Sequence, residues 1–335
     1  MPSPVKTPPP KKAAAKTGPI SPGPAHADLA PHPALEAKLA ATDSAAKAFR
    51  LIAGSALSQA TANAAILARA RRPEALHQMR VGLRRLRGAL SLFGPMLADG
   101  GLDGVKAELK WITGELGPAR DLDVFLSDTY RPLLEPHRDW PELANLGHVL
   151  REARSRAYDR AQAAVTSSRF GVLVHDLTAW IETGAWSTKS GPKQTALRAR
   201  PIGRLAPELL DQVRAKVIKR GRKLKSLDPE VRHRLRIHAK KLRYATGFFG
   251  SLYARDAAKS LKRFEDAAHR LTGALGDQND IVAATALAAE IAAQAPPRVA
   301  YVAGLTAAER LNGEAGSMKA ARKALKAFRK SEAFW

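Results

Sequence analysis

The chain contains no cysteine, which excludes disulfide stapling, thiolate metal sites and a cysteine nucleophile. Aromatic residues make up only 6%, too few for an extended base-stacking surface. Acid is short relative to base: 31 Asp and Glu face 55 Lys and Arg, a formal net charge of +24 over 335 residues. That excess points to an anionic partner, whether nucleic acid, a membrane surface or another polyanion. No stretch approaches the roughly 18 apolar residues that span a bilayer, so no membrane insertion is expected. The N-terminus carries positive charge with no apolar run behind it, a poor secretory signal. The expectation is a soluble cytoplasmic protein. Walker-type glycine loops, GxSxG elbows and HExxH motifs are also missing from the sequence, so no positive feature supports an enzyme.

What the chain does have begins with proline. Ten of its 22 prolines fall in the first 33 residues, with Lys6, Lys11, Lys12, Lys16 and one acid, Asp28. Such a segment cannot hold a helix or bury a core. Residues 1–44 read as a disordered basic tail and lead-in, and residues 1–34 as having no means of packing. From about Ala34 the composition turns to Ala, Leu, Lys and Glu with helical periodicity, and alternating β-branched runs are essentially absent. The fold class is all-α. Expected breaks include Arg72-Pro73, Gly117-Pro118, Pro132 to Pro141, Gly184 to Pro201, Gly276-Asp277 and Pro296-Pro297.

An internal repeat organises the remainder. Residues 76–93, LHQMRVGLRRLRGALSLF, align without gaps on residues 232–249, RHRLRIHAKKLRYATGFF. His77 matches His233, Arg80 matches Arg236, Arg84 and Arg85 match Lys240 and Lys241, and Arg87 matches Arg243. A second block follows, ITGELGPARDLDV at 112–124 on LTGALGDQNDIVA at 271–283, with Asp121 matching Asp280. Two blocks recurring in one order imply a duplicated helical unit: one domain of two pseudo-symmetric bundles over 45–335, the first repeat about 45–190 and the second about 200–335.

On a helix, His77, Arg80, Arg84 and Arg87 fall within one arc of about 80°, beside a separate apolar stripe of Met79, Leu83, Leu86, Leu90 and Phe93. His233, Arg236, Lys240 and Arg243 repeat the pattern. The ordinary reading of a basic helix is a solvated face. Here the stripe is duplicated, led by histidine, and free of acid over residues 76–93, so surface ion pairing cannot be its purpose. Residues 214–243 add thirteen Lys or Arg against Asp228 and Glu230. Two such rails joined by a pseudo-twofold would form one electropositive groove.

These residues resemble a known family. VHxxRVxxRRLRxxLxxF followed by LGxxRDLDV, then HxxRIxxKxLRYxxEFF followed by LGxxND, is the pattern of CHAD domains, conserved-histidine α-helical domains. Here it reads His77-Gln78-Met79-Arg80-Val81, Arg84-Arg85-Leu86-Arg87 and Leu116-Gly117 through Val124. The second half reads His233 through Ile237, Lys240-Lys241-Leu242-Arg243-Tyr244 and Leu275-Gly276 through Asp280. The terminal Phe334-Trp335 is similar to the family's usual ending. One departure is Gly247, where the pattern usually has Glu, which removes an expected ion-pair partner of the second rail. The resemblance implies two pseudo-symmetric helical bundles and binding of inorganic polyphosphate.

Phosphate chemistry agrees with that implication. Guanidinium forks bind phosphate oxygens bidentately and lysines add flexible point charges, while a chain without bases needs no recognition helix. The expected polyphosphate ligands are His77, Arg80, Arg84, Arg85, Arg87, Arg120, His233, Arg236, Lys240, Lys241 and Arg243. Asp121 and Asp280 are expected to orient arginines or to cap a helix after the Gly break. His238 lies off the stripe and reads as incidental, and Lys110, Arg151 and Arg154 as extensions of the groove. No cofactor and no metal are expected. The leading reading is a non-catalytic polyphosphate-binding protein on polyphosphate granules, with weak non-specific nucleic-acid binding. The rivals are a nucleoid-associated protein and a polyphosphate- or triphosphate-processing enzyme. Residues 318–330 read as the last bundle helix.

Overall fold

The computed structural model describes residues 29–335 apart from 138, 189–190, 223 and 225–228. The disordered tail expected over 1–28 lies outside the described residues. Among the described residues every regular element is helical, apart from one bridge pair between Ser44 and Pro201. The first run comprises α1 (Ala45–Arg69), α2 (Pro73–Leu92), α3 (Leu102–Glu115), α4 (Gly117–Phe125), a π-helical turn (Leu126–Tyr130), α5 (Arg131–Leu134), α6 (Pro141–Thr166) and α7 (Ser168–Thr183). The second comprises α8 (Pro192–Ala199), α9 (Ile202–Gly221), α10 (Pro229–Phe249), α11 (Ala258–Gln294), α12 (Pro297–Asn312) and α13 (Glu314–Lys330).

Local chemistry sets the helix boundaries. Ser44 and Ser167 cap α1 and α7, each Oγ accepting a backbone N–H at 3.2 Å, and proline opens α2, α6 and α12, where its missing N–H costs nothing. The break expected at Gly276-Asp277 does not occur, because α11 runs through it. The repeat explains why. Gly117-Pro118 separates α3 from α4, but the residue matching Pro118 is Asp277, which keeps its N–H and lets the helix continue. Asp280 therefore sits mid-helix and Asp121 inside α4, so neither caps a helix.

The two runs meet through their repeated blocks: α2 packs on α10, and α4 on α11. Residues meet their own counterparts there. The Phe93 and Phe249 rings stand 6.2 Å apart, edge to face, and the Tyr244 ring lies against Gly88, its match in the first block. Asp121 and Asp280 are close enough to repel each other. Self-pairings of this kind fall where a twofold axis places them.

By length and composition α1 could cross a bilayer, which corrects the reading that no such stretch exists. In this fold it is a core helix, with Phe49, Ile52, Ala56, Ala60 and Leu67 buried. α13 packs as the final helix through Ala321, Leu325 and Phe328, and Phe334 and Trp335 close over Phe264.

The lead-in to α1 differs from expectation. The compact unit starts at Pro31. The His32 backbone exchanges two hydrogen bonds with the fully buried Asn63 side chain, at 3.0 and 2.8 Å. The Leu35 carbonyl accepts from Ser55 and Arg85. Truncation at residue 34 would therefore strip a partner from a buried amide.

Arg85, only 4% exposed, donates to Gln59 and to the Glu36 carboxylate at 3.0 Å each. A Cβ built on Gly247 would lie 3.4 Å from Glu36 Oε1. The lead-in thus brings the Glu36 carboxylate beside position 247, where it pairs with Arg85 of α2 and not with the second rail. We expect Glu36→Ala to cost about 1–2 kcal/mol, the worth of a charge-assisted hydrogen bond reduced for Glu36's exposure. Adding Gly247→Glu should restore that loss, and beyond what Gly247→Ala restores through helix propensity. Equal recovery by Ala and Glu in thermal melts would rule out the replacement.

Candidate polyanion-binding cleft

The apolar stripe of α2, with Leu76, Met79, Leu83, Leu86 and Leu90 all buried, fixes the helix against α1. Gly82 lets it approach closely: a Cβ there would stand 2.8 Å from the Ala60 nitrogen and 2.9 Å from the Ala56 carbonyl oxygen. On α10, Leu235, Ala239, Leu242 and Phe249 are buried likewise. Each helix is thereby locked in rotation, and its basic stripe is turned toward the other's.

The stripes line a single cleft of about 520 Å³. His77, Arg80, Arg84 and Arg87 come from α2, and His233, Arg236 and Lys240 from α10. Arg120 and Asp121 enter from α4, Asn279 and Asp280 from α11, and an apolar floor from Phe125, Ala284 and Leu287. Both expected carboxylates lie among arginines. Arg236 Nη2 stands 3.7 Å from Asp280 Oδ1, and Arg80, which feels Asp121, donates through Nη1 to the Thr113 carbonyl at 3.2 Å in the last turn of α3. Cations at a helix C-terminus are favoured there. Among the described residues no three metal-type side chains gather.

Three expected ligands lie elsewhere. Arg85 is turned away from the cleft, buried and paired with the half-exposed Glu36. Lys241 points into a different pocket, donating to Ser91 Oγ at 2.9 Å. Arg243 stacks over the Tyr244 ring, 5.4 Å from its centroid, and does not line the cleft. The reason is angular for Arg85 and Lys241, since the position after Arg84 or Lys240 is rotated by about 100° on a helix. Arg154 does not extend the groove: its Nε donates to Asp123 at 2.6 Å. Neither Lys110 nor Arg151 lines it.

Thr113, Thr129 and Arg310 line the cleft without having been read from the sequence. Thr129 sits on the π-helical turn, a distortion common at functional sites. Arg310 lies on α12 outside both repeated blocks, where nothing in the local pattern marks it.

The electrostatics are those of a site under strain. The Nε atoms of Arg84, Arg236 and Arg310 are buried without a hydrogen-bond partner among the described residues. Burial, with Arg236 and Arg84 close by, pulls the Lys240 ammonium down to about 7. Burial, then Arg120, Arg84 and Arg80, holds His77 below the ordinary histidine value. Burial lowers Arg80 and Arg236 as well, and raises Asp121, where the nearby Asp280 adds to the shift. The shifts of His77, Arg80, Arg236 and Lys240 share one sign, because burial disfavours each charged form first, and the neighbouring cations add to it more than Asp121 and Asp280 offset.

A family model, the CHAD domain, matches residues 51–289. The crystal structure of the CHAD domain from the plant Ricinus communis is similar at a TM-score of 0.76 and 29% identity, over 90% of this chain and 99% of that one. PptA from Streptomyces chartreusis shares the fold at a TM-score of 0.58 and 20% identity, over 85% of this chain and all of that one. No curated protein matches. With the family model spanning most of the chain over the two repeated blocks that build the cleft, the chain belongs to the CHAD-domain family.

Proposed function

We propose that the protein binds inorganic polyphosphate in this cleft, as a non-catalytic module acting in the cytoplasm on polyphosphate granules. CHAD domains are a family associated with polyphosphate binding, and some CHAD proteins with triphosphatase activity. The observation that carries the reading is Arg84. Its guanidinium lines the cleft within reach of His77, Arg80, Arg236 and Lys240, its Nε is buried, and no hydrogen bond or ion pair engages it among the described residues. A buried donor without a partner costs roughly 1–3 kcal/mol, and the surrounding Arg80, Arg236 and Lys240 add repulsion. A chain of phosphates supplies the missing acceptors and charge at once, and an unbranched polyanion fits two facing rails. Arg80 and Arg236, already oriented by Thr113 and Asp280, would present their remaining donors to the same oxygens. His77 and His233 would donate at one end and Arg87 would stand at the other.

Binding and stability should move in opposite directions. We expect Arg84→Met and Lys240→Met each to weaken polyphosphate binding about tenfold or more, since charge-assisted hydrogen bonds are worth roughly 1.5–3 kcal/mol. The melting temperature of each variant without ligand should stay level or rise, because repulsion is removed. Weaker binding together with a lower melting temperature would mean that these residues hold the fold.

The pH response follows from the same shifts. A bound polyanion favours the charged forms of Lys240 and His77, so their pKa values rise on binding and protons are taken up. Affinity then falls as pH rises from about 7, where free Lys240 loses its proton, toward its bound value. One proton taken up corresponds to about tenfold per pH unit. Lys240 therefore titrates in the same near-neutral window as histidine. In titrations at fixed ionic strength, Lys240→Met should flatten the response that begins near pH 7, and His77→Gln the part that begins at lower pH, since free His77 lies below the ordinary histidine value. An unchanged profile in Lys240→Met would remove that side chain from the site.

A further inference from the structure

A second pocket, of about 290 Å³, lies where α2, α9 and α10 meet, on a different face of α10 from the cleft. One end is cationic. Lys241 and His238 from α10 and Lys216 from α9 converge there beside Ser91, whose hydroxyl accepts from Lys241 Nζ at 2.9 Å. No acid pairs with Lys216 or Lys241 among the described residues; burial, then Lys216 and Arg87, pushes the Lys241 ammonium down, and burial, then Arg220, Lys241 and Lys216, brings His238 to about 4. The remainder of the pocket is an apolar slot. Leu205, Leu209 and Val213, spaced by four on α9, face Leu92, Phe93 and Met96. The far end is closed by Arg200 and Glu208, which neutralise each other.

We propose that this pocket binds a single-tailed anionic amphiphile, its phosphate or carboxylate head between Lys216 and Lys241 and its tail along Leu209 toward Leu205. The two ends have different chemistry. Two ammonium groups and a hydroxyl without a counter-ion call for an anion, and the slot beyond them offers a polyphosphate chain nothing to bind. From Lys216 to Leu205 is eleven residues, roughly 16 Å along the helix, room for an extended chain of about eight to ten carbons. The volume sits at the small end of ligand pockets, typically about 300–1,000 Å³, and suits one tail rather than a two-chain lipid. The inference is independent of the cleft's ligand.

Titrating the full chain with octyl phosphate below its micelle concentration, by calorimetry, tests the proposal. Octanoate, inorganic phosphate and octanol are run alongside. We expect saturable binding at one site per chain, with octyl phosphate ahead of octanoate because two ammonium groups face a dianion. Inorganic phosphate and octanol should each bind at least tenfold more weakly. The paired change Lys216→Gln with Lys241→Gln should weaken octyl phosphate tenfold or more, while Arg84→Met in the cleft leaves it within about threefold. Three results would overturn the assignment: no saturation, octyl phosphate no better than inorganic phosphate, or an equal loss in the cleft variant. The ligand series is read on the unaltered protein, so it decides even if the paired variant fails to fold.

Discussion

The structure depends on holding like charges together. Arg80, Arg84, Arg236 and Lys240 crowd one cleft, and like charges on neighbouring turns already destabilise a helix by a few tenths of a kcal/mol per pair. Apolar contact beneath them opposes this. The buried stripes of α2 and α10 fix both helices in rotation, and the Phe93–Phe249 contact ties the two runs at their meeting point. Burial also relieves the repulsion chemically, by letting Lys240 give up its proton near neutrality. On the proposed function, the cleft is preorganised for an anion at the expense of the protein's own electrostatic comfort, a common stability–function trade-off.

Most of this arrangement was legible in the sequence, since the repeat and the helical period together encode it. Spacings of 3, 4 and 3 place His77, Arg80, Arg84 and Arg87 on one arc, and the matched block predicts a facing rail. His233, Arg236 and Lys240 line the cleft as that pattern requires. The adjacent basic positions, Arg85 and Lys241, share the composition of the rails but not their angle: the second cation of each pair faces another way. Arg85 became a buried anchor for Glu36, and Lys241 the head of a separate pocket.

What the sequence hid was tertiary. Arg310 and Thr129 reach the cleft from elements outside the repeated blocks, and only the packing of α12 and the π-helical turn brings them there. The role of Glu36 was hidden for the same reason. Its carboxylate is brought beside position 247 by a segment more than 200 residues away in sequence, and that segment had been read as lead-in. Gly276 misled in the opposite direction: a glycine without a following proline lets a helix run on, and α11 spans 37 residues through it.

The central claim is that the cleft is shaped for a chain of phosphates and not for polyanions in general. Competition tests it most directly. Labelled polyphosphate is bound to the protein at fixed salt, and duplex DNA is added at increasing excess of phosphate. The account predicts that polyphosphate stays bound at a hundredfold excess, because two facing rails in one cleft of about 520 Å³ engage an unbranched chain and leave no room for a duplex. Displacement at equal phosphate concentrations would contradict it, leaving only non-specific attraction to a charge of +24.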